Sequence, residues 1–130
     1  MDRREVIRLL VLNEISDDFE NVDQIILPHV VKATAKCGLA VGRAEIVDAL
    51  AGLVRDGLAK AYILSSAKRD PFSGELPDMP PLDVIEENFE TYFYITKEGL
   101  DFHRSDDIWR FLDDEGNLRP DWPLEASPPC

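Results

Sequence analysis

Basic residues are scarce in this sequence of 130 residues, which has 14 Lys and Arg against 26 Asp and Glu and a net charge of -12. The deficit grows along the chain, because residues 1–60 carry a net charge of -2 and residues 61–130 carry -10. Affinity for nucleic acids and for anionic membranes depends on positive charge. The charge balance therefore argues against either partner for the molecule as a whole and favours solubility.

Cysteine is also rare, since Cys37 and Cys130 are the only two. Two cysteines make no disulfide framework, although one bridge between them stays possible. The small apolar residues around Cys37 favour a buried free thiol at that position. We therefore expect a cytoplasmic protein in a reducing compartment.

Long apolar runs and catalytic motifs are missing as well. The apolar stretch from Val6 to Leu12 is interrupted by Arg8 and has no cleavage site after it, so it is neither a signal peptide nor a membrane span. The chain has no glycine-rich phosphate loop and no Gly-x-Ser-x-Gly motif, and His29 and His103 lack the spacing of zinc ligands. We therefore expect no membrane partner, no cofactor, no metal and no enzymatic activity.

The first half of the chain is rich in helix signals. Apolar periodicity predicts a first helix over 3–16, with most of its surface buried. Asn21 and Gln24 form a capping pair for a second helix that begins at 22. Pro28 predicts that this helix splits near Leu27, and its later part, 28–37, is expected to close at Gly38.

A third helix and two strands follow. Gly42 as N-cap predicts a helix over 43–56 that stops at Gly57, with one apolar face formed by Ile46, Leu50, Leu53 and Val54. Residues 58–64 and 91–95 are typical of strands. The connection between them, 65–90, has too many Pro and Gly residues for a long element. Thr96 is expected to cap a fourth helix from Lys97 to about His103, and residues 105–130 read as a hairpin or ordered tail.

Two short motifs accompany this order of elements. The first is the Leu-x-x-Leu-x-x-x-Gly-Leu junction over 50–58, and the second is Tyr94-Ile95-Thr96-Lys97-Glu98-Gly99. Together with the order of elements, they resemble the winged helix-turn-helix superfamily that includes MarR-like and PadR-like bacterial regulators. The resemblance implies an α+β fold with three helices, a two- or three-stranded wing hairpin carrying a long insertion, and a closing helix. It covers residues 1–104 and leaves 105–130 as a C-terminal extension packed on the domain or on a partner.

The resemblance also implies a function, because DNA-binding members place the third helix in the major groove and the wing on the neighbouring backbone. The basic residues that match these positions are Arg43, Arg55, Lys68 and Arg69. Charge opposes this role, because helix 43–56 has a net charge of -1 and segment 65–90 has -5. Ala49 and Gly52 are expected on the outward face of the third helix, where they reach no base edge.

Two functions from different classes therefore stay open. The first expectation, which follows from the resemblance, is a winged-helix transcriptional regulator that binds DNA through the third helix. The other is an acidic winged-helix module that binds a basic protein partner and does not bind DNA. In either case the apolar circumference of the first helix predicts a homodimer formed through that helix or through the tail.

Overall fold

A computed structural model describes residues 3–35, 38–64, 72–76 and 91–104. Within these ranges the chain is α+β, with four α-helices and one three-stranded antiparallel sheet. A π-helical segment, Val22–Ile26, leads directly into the second α-helix. The elements are α1 (Arg3–Glu14), α2 (Leu27–Thr34), α3 (Arg43–Arg55), β1 (Ala59–Leu64), β2 (Phe72–Leu76), β3 (Thr91–Ile95) and α4 (Lys97–His103).

The first helix, α1, ends two residues before its predicted boundary at position 16. Both the backbone N–H and the hydroxyl of Ser16 donate to the carbonyl of Asn13, at 3.3 Å and 2.7 Å. These bonds replace the next helical hydrogen bond and stop the helix. The prediction that most of α1 is buried is confirmed. Its buried residues are Val6, Ile7, Leu9, Leu10, Val11 and Leu12.

The predicted split of the second helix is confirmed. Asn21 caps the π-helical segment by accepting the Gln24 N–H at 2.8 Å, and α2 begins at Leu27 with Pro28 in its first turn. Proline has no N–H to donate, so it fits the start of a helix and not its interior. The predicted end of this helix at residue 37 was wrong, because α2 ends at Thr34. Gly38 nevertheless has the expected left-handed backbone, with φ of 65°.

The core lies between α1, the π-helical segment, α2, α3 and the inner face of the sheet. Helix α3 contributes Ile46, Leu50 and Leu53, each with 0% of its surface exposed. These residues confirm the predicted apolar face, and Val54 packs against its edge. Spacings of three and four place them on one side of a helix, which explains why sequence periodicity identified them.

The sheet has the strand order β2-β1-β3. Ala61 of β1 pairs with Leu76 on one side and with Phe93 on the other. Along β3 burial alternates, so that Phe93 enters the core while Tyr92 and Tyr94 lie on the opposite face. Strand β2 falls inside the connection where we expected no long element. Its central Gly74 and its flanking prolines are residues that argue against a strand in the sequence.

Residues between α1 and the π-helical segment cover the outer edge of β3. Glu20 and Phe93 exchange two backbone hydrogen bonds, with the Phe93 N–H donating at 2.9 Å and the Glu20 N–H at 3.1 Å. The Ile95 N–H donates to the Ile15 carbonyl at 3.1 Å. The first helical connection is therefore tied to the last strand.

The start of α4 is locked onto the turn that joins α3 to β1. Gly57 takes a left-handed backbone there, with φ of 77°. The Thr96 hydroxyl donates to the Gly57 carbonyl at 2.7 Å and accepts the Gly99 N–H at 3.0 Å, which confirms Thr96 as the helix cap. The Thr96 N–H donates to the Leu58 carbonyl at 3.0 Å. One threonine therefore caps a helix and fixes a turn.

Several sequence predictions fall on residues outside the described ranges. These include the thiol of Cys37, the position of Cys130 and the whole of segment 105–130. Among the helices that the structure describes, none combines the length and the apolar character needed to cross a bilayer.

Candidate nucleic-acid interface on α3

The outward stripe of α3 differs from the one expected from sequence. Ala49 and Gly52 are buried, because this side of the helix packs against α1. Their assignment to the outward face was wrong, and the Arg8 side chain of α1 lies over Gly52. The exposed positions of α3 are Ala44, Asp48 and Arg55, and Ala51 lies partly exposed between the last two.

Arg43, the first predicted contact residue, lies at the start of α3 but turns toward the π-helical segment. Its Nε is 2.7 Å from Oδ1 of Asp23, and its Nη2 is 3.1 Å from Oδ2. This is a bidentate pair of the strongest common type between side chains. Only 20% of the Arg43 side chain is exposed, so it supports the α3 N-terminus and presents little charge to a ligand.

Three arginines of α1 pair with the acidic residues of α3 and of its C-cap, Asp56. Arg3 pairs with Glu45 at 3.0 Å, Arg4 with Asp48 at 2.8 Å and Arg8 with Asp56 at 2.6 Å. We expected Arg43 and Arg55 of α3 itself to balance these carboxylates. Sequence reasoning overlooked this role of the α1 arginines, although the spacing of Arg4 and Arg8 by one helical turn was a usable signal.

Arg55 is the predicted contact residue that the structure leaves most exposed. Its side chain is 75% exposed, and its Nε lies 3.7 Å from Oδ1 of Asp56. A pair this long and this exposed contributes little to stability. Arg55 therefore keeps a cation on the outward side of α3. The other two predicted contacts, Lys68 and Arg69, lie outside the described residues.

An open groove of about 350 Å³ runs between α1 and α3. Its walls combine positive and negative side chains with two small residues at the base. The lining residues are Arg4, Glu5, Arg8, Asp48, Ala49, Gly52 and Arg55. With three arginines and two carboxylates, the lining carries a net charge of +1, which is far less positive charge than a DNA backbone requires.

The two histidines have hydrogen-bonding roles in the structure. His29 Nδ1 lies 2.8 Å from Oε2 of Glu14, and His103 Nε2 lies 2.8 Å from Oδ1 of Asn13. Both bonds therefore link later helices to the end of α1. Across the described parts of the chain, no three potential ligands from His, Cys, Asp and Glu gather into a metal site.

Burial of His103 predicts a dependence of stability on pH. Only 7% of the residue is exposed, and desolvation lowers the pKa of His103 below its ordinary value of 6.5, with Asp17 opposing and Arg104 assisting the shift. The unfolded chain then binds the proton more readily, so stability is complete above about pH 6.5 and falls toward the lower folded pKa. We expect His103→Gln to flatten this fall in urea unfolding between about pH 7.5 and 5.5.

His29→Gln is the matched control, because His29 is exposed and its removal should keep the fall. Carboxylate titration is common to both variants and cancels in the comparison. It includes that of Glu20, whose pKa is raised mainly by burial. An unchanged pH profile in His103→Gln would contradict the prediction.

Comparison with models of protein families, with curated proteins and with solved structures finds no match to this chain.

Proposed function

We propose that this chain is a winged-helix protein-interaction module that does not bind DNA. The order of elements supports the winged helix, with three helical segments, a sheet that begins directly after α3, and a closing helix. The two motifs behind the resemblance also have clear physical roles. Gly57 makes the turn from α3 into β1, and Thr96 with Gly99 seats α4 against that turn.

The charge of α3 is the observation that carries the second half of the proposal. Arg43 is engaged by Asp23, and the remaining outward stripe consists of Ala44, Asp48, Ala51 and Arg55. A helix that reads DNA presents several long polar side chains to base edges and neutralises phosphates on both sides. Here one exposed arginine is available, and an acidic residue lies two turns before it.

An aromatic cluster supports a protein partner. On the sheet face opposite the core, the Phe19 ring lies 5.4 Å from the Tyr62 ring and 4.4 Å from the Tyr94 ring. Tyrosine and phenylalanine are enriched at protein interfaces, where their large surfaces supply binding energy. The acidic composition of segment 65–90, with its net charge of -5, fits a basic partner.

The competing function, a transcriptional regulator, keeps one observation in its favour. Arg55 stands exposed near the end of α3, where it could contact a phosphate or a guanine. A regulator also fits the fold of the proposed family. The two functions differ in a directly measurable property, which is salt-dependent affinity for duplex DNA.

The test is fluorescence anisotropy of a labelled random-sequence duplex at about 50 mM and about 200 mM salt. We expect no binding at protein concentrations up to about 100 μM, because non-specific affinity requires phosphate neutralisation. A lysine-rich peptide with the same dye is the matched probe, and we expect it to bind and to weaken with salt.

Micromolar binding of the duplex, with a steep loss of affinity at the higher salt, would refute the proposed interaction module and favour the transcriptional regulator. In that case Arg55→Gln should weaken binding and reduce its salt dependence. Arg104→Gln should not, because Arg104 lies at the far end of α4.

A further inference from the structure

Two guanidinium groups converge above a glycine in the groove between α1 and α3. A Cβ atom built on Gly52 would lie 3.5 Å from Nη2 of Arg55 and 3.6 Å from Nη1 of Arg8. Arg8 comes from α1 and Arg55 from the last turn of α3. Both guanidinium groups therefore lie over the same position of α3.

These two cations share one carboxylate. Nη2 of Arg8 is 2.6 Å from Oδ2 of Asp56, while Nε of Arg55 is 3.7 Å from Oδ1 of the same group. The Arg8 guanidinium holds the pKa of Asp56 below its ordinary value, so the carboxylate stays ionised at neutral pH. One negative charge therefore faces two positive charges, and adjacent like charges disfavour each other unless an anion compensates them.

Asp48, another carboxylate of the groove, is already engaged by Arg4 through two bonds, Nε to Oδ2 at 3.0 Å and Nη2 to Oδ1 at 3.1 Å. Glu5 also lies in the wall of the groove and has an interaction of its own. Among the described residues, Asp56 is the carboxylate in an ion pair with Arg55.

We propose that this groove binds a phosphoryl group between Arg8 and Arg55. A guanidinium fork donates parallel N–H bonds to phosphate oxygens, and two forks can hold a dianion from two sides. Arg8 is prepared for this role, because its side chain is only 31% exposed and Asp56 fixes its position. Ordering it before binding reduces the entropy cost of association.

The size and the surroundings of the groove indicate a small ligand. Its volume of about 350 Å³ is near the lower limit of small-molecule sites. The net charge of -12 on the chain repels a polyanion, whereas one phosphoryl group meets mainly the local field of the two arginines. The ligand class is therefore a phosphate monoester or inorganic phosphate.

The experiment is a titration with inorganic phosphate at constant ionic strength, followed by the NMR resonances of the arginine Nε–H groups. We expect saturable shifts for Arg8 and Arg55, while Arg104 stays unchanged. O-phosphoserine tests whether a monoester binds at the same place. Acetate tests whether any oxyanion suffices, and we expect it to produce no saturable shift.

Two variants locate the site. Arg55→Gln should weaken phosphate binding by about tenfold or more, the typical loss for a hydrogen bond to a charged group. Arg104→Gln removes the same charge outside the groove and should leave the affinity unchanged. Gly52→Ala places a methyl group at ordinary contact distance from both guanidinium groups, so the fold should persist while phosphate affinity falls.

Three outcomes would overturn the proposal. They are the absence of saturable shifts at Arg8 and Arg55 with both inorganic phosphate and O-phosphoserine, an equal response to acetate, and an equal loss of affinity in Arg55→Gln and Arg104→Gln. Binding of phosphoserine without inorganic phosphate would identify a monoester as the ligand. Binding of both would identify the phosphoryl group itself as the recognised element.

Discussion

Gly99→Ala is expected to destabilise the chain by about 3 kcal/mol or more, near the upper end of losses from overpacking. A Cβ atom at position 99 would lie 2.0 Å from the Leu58 carbonyl oxygen and 2.7 Å from Cγ1 of Ile95. The obstacle is backbone, and it cannot retreat without breaking the hydrogen bond from Thr96 to Leu58. Urea unfolding followed by circular dichroism measures the loss.

Gly52→Ala is the matched control for this substitution. It makes the same chemical change within a helix, but its new methyl group would meet only the ends of two arginine side chains, at 3.5 Å and 3.6 Å. Alanine is favoured over glycine in helices by about 1 kcal/mol, so we expect a gain in stability. Equal losses in the two variants would contradict the close approach of α4 to the α3–β1 turn.

Leu50→Ala is expected to lower the free energy of unfolding by about 2–5 kcal/mol, the range for a large-to-small change in a packed core. Leu50 has none of its surface exposed and lies in the middle of the α3 face that meets the core. The substitution removes buried apolar surface and leaves a cavity that the neighbouring helices can fill only in part. Thermal or urea unfolding gives the value.

Val47→Ala is the control on the same helix. Val47 is only partly buried at the margin of the core, so its loss should be clearly smaller than that of Leu50. An unchanged unfolding midpoint in Leu50→Ala, or a larger loss in Val47→Ala, would refute the assignment of the core face. The change from Val to Ala also gains more helix propensity than the change from Leu to Ala, which adds to the expected difference in the same direction.

Local chemistry made much of this fold predictable. The capping pair of Asn21 and Gln24, the split before Pro28 and the cap at Thr96 were all identified correctly, because each depends on neighbours within four residues. The apolar face of α3 was identified for the same reason, since its spacing follows the helix period. Helix ends were less accurate, because Ser16 closes α1 through side-chain chemistry that competes with helix continuation.

The surface of α3 was harder to predict, because side chains from distant segments decide it. Periodicity identified a buried stripe on α3 but not the second contact with α1, which buries Ala49 and Gly52. The pairing of Arg43 with Asp23 is equally non-local. Charge counts along one helix therefore misjudged which carboxylate faces which arginine. Strand β2 was missed because its glycine and its flanking prolines outweigh two apolar residues.

The apolar circumference of α1 had suggested a homodimer formed through that helix. Its six buried residues belong to the core of the single chain, where α1 contacts α3, α2, α4 and the π-helical segment. The apolar surface that motivated the prediction is therefore buried within the chain itself, and α1 gives no support to a homodimer. Dimerisation through segment 105–130 stays a prediction that concerns residues outside the described ranges.

The backbone bonds that join Ile15 and Glu20 to β3 have a consequence for behaviour at high concentration. An uncovered strand offers a template on which further strands, from other molecules, can add one after another. On this side of the sheet the N–H groups of Phe93 and Ile95 are already occupied by the chain's own carbonyls. Aggregation by strand addition is therefore blocked along β3, and substitutions that loosen the segment between α1 and the π-helical segment should promote it.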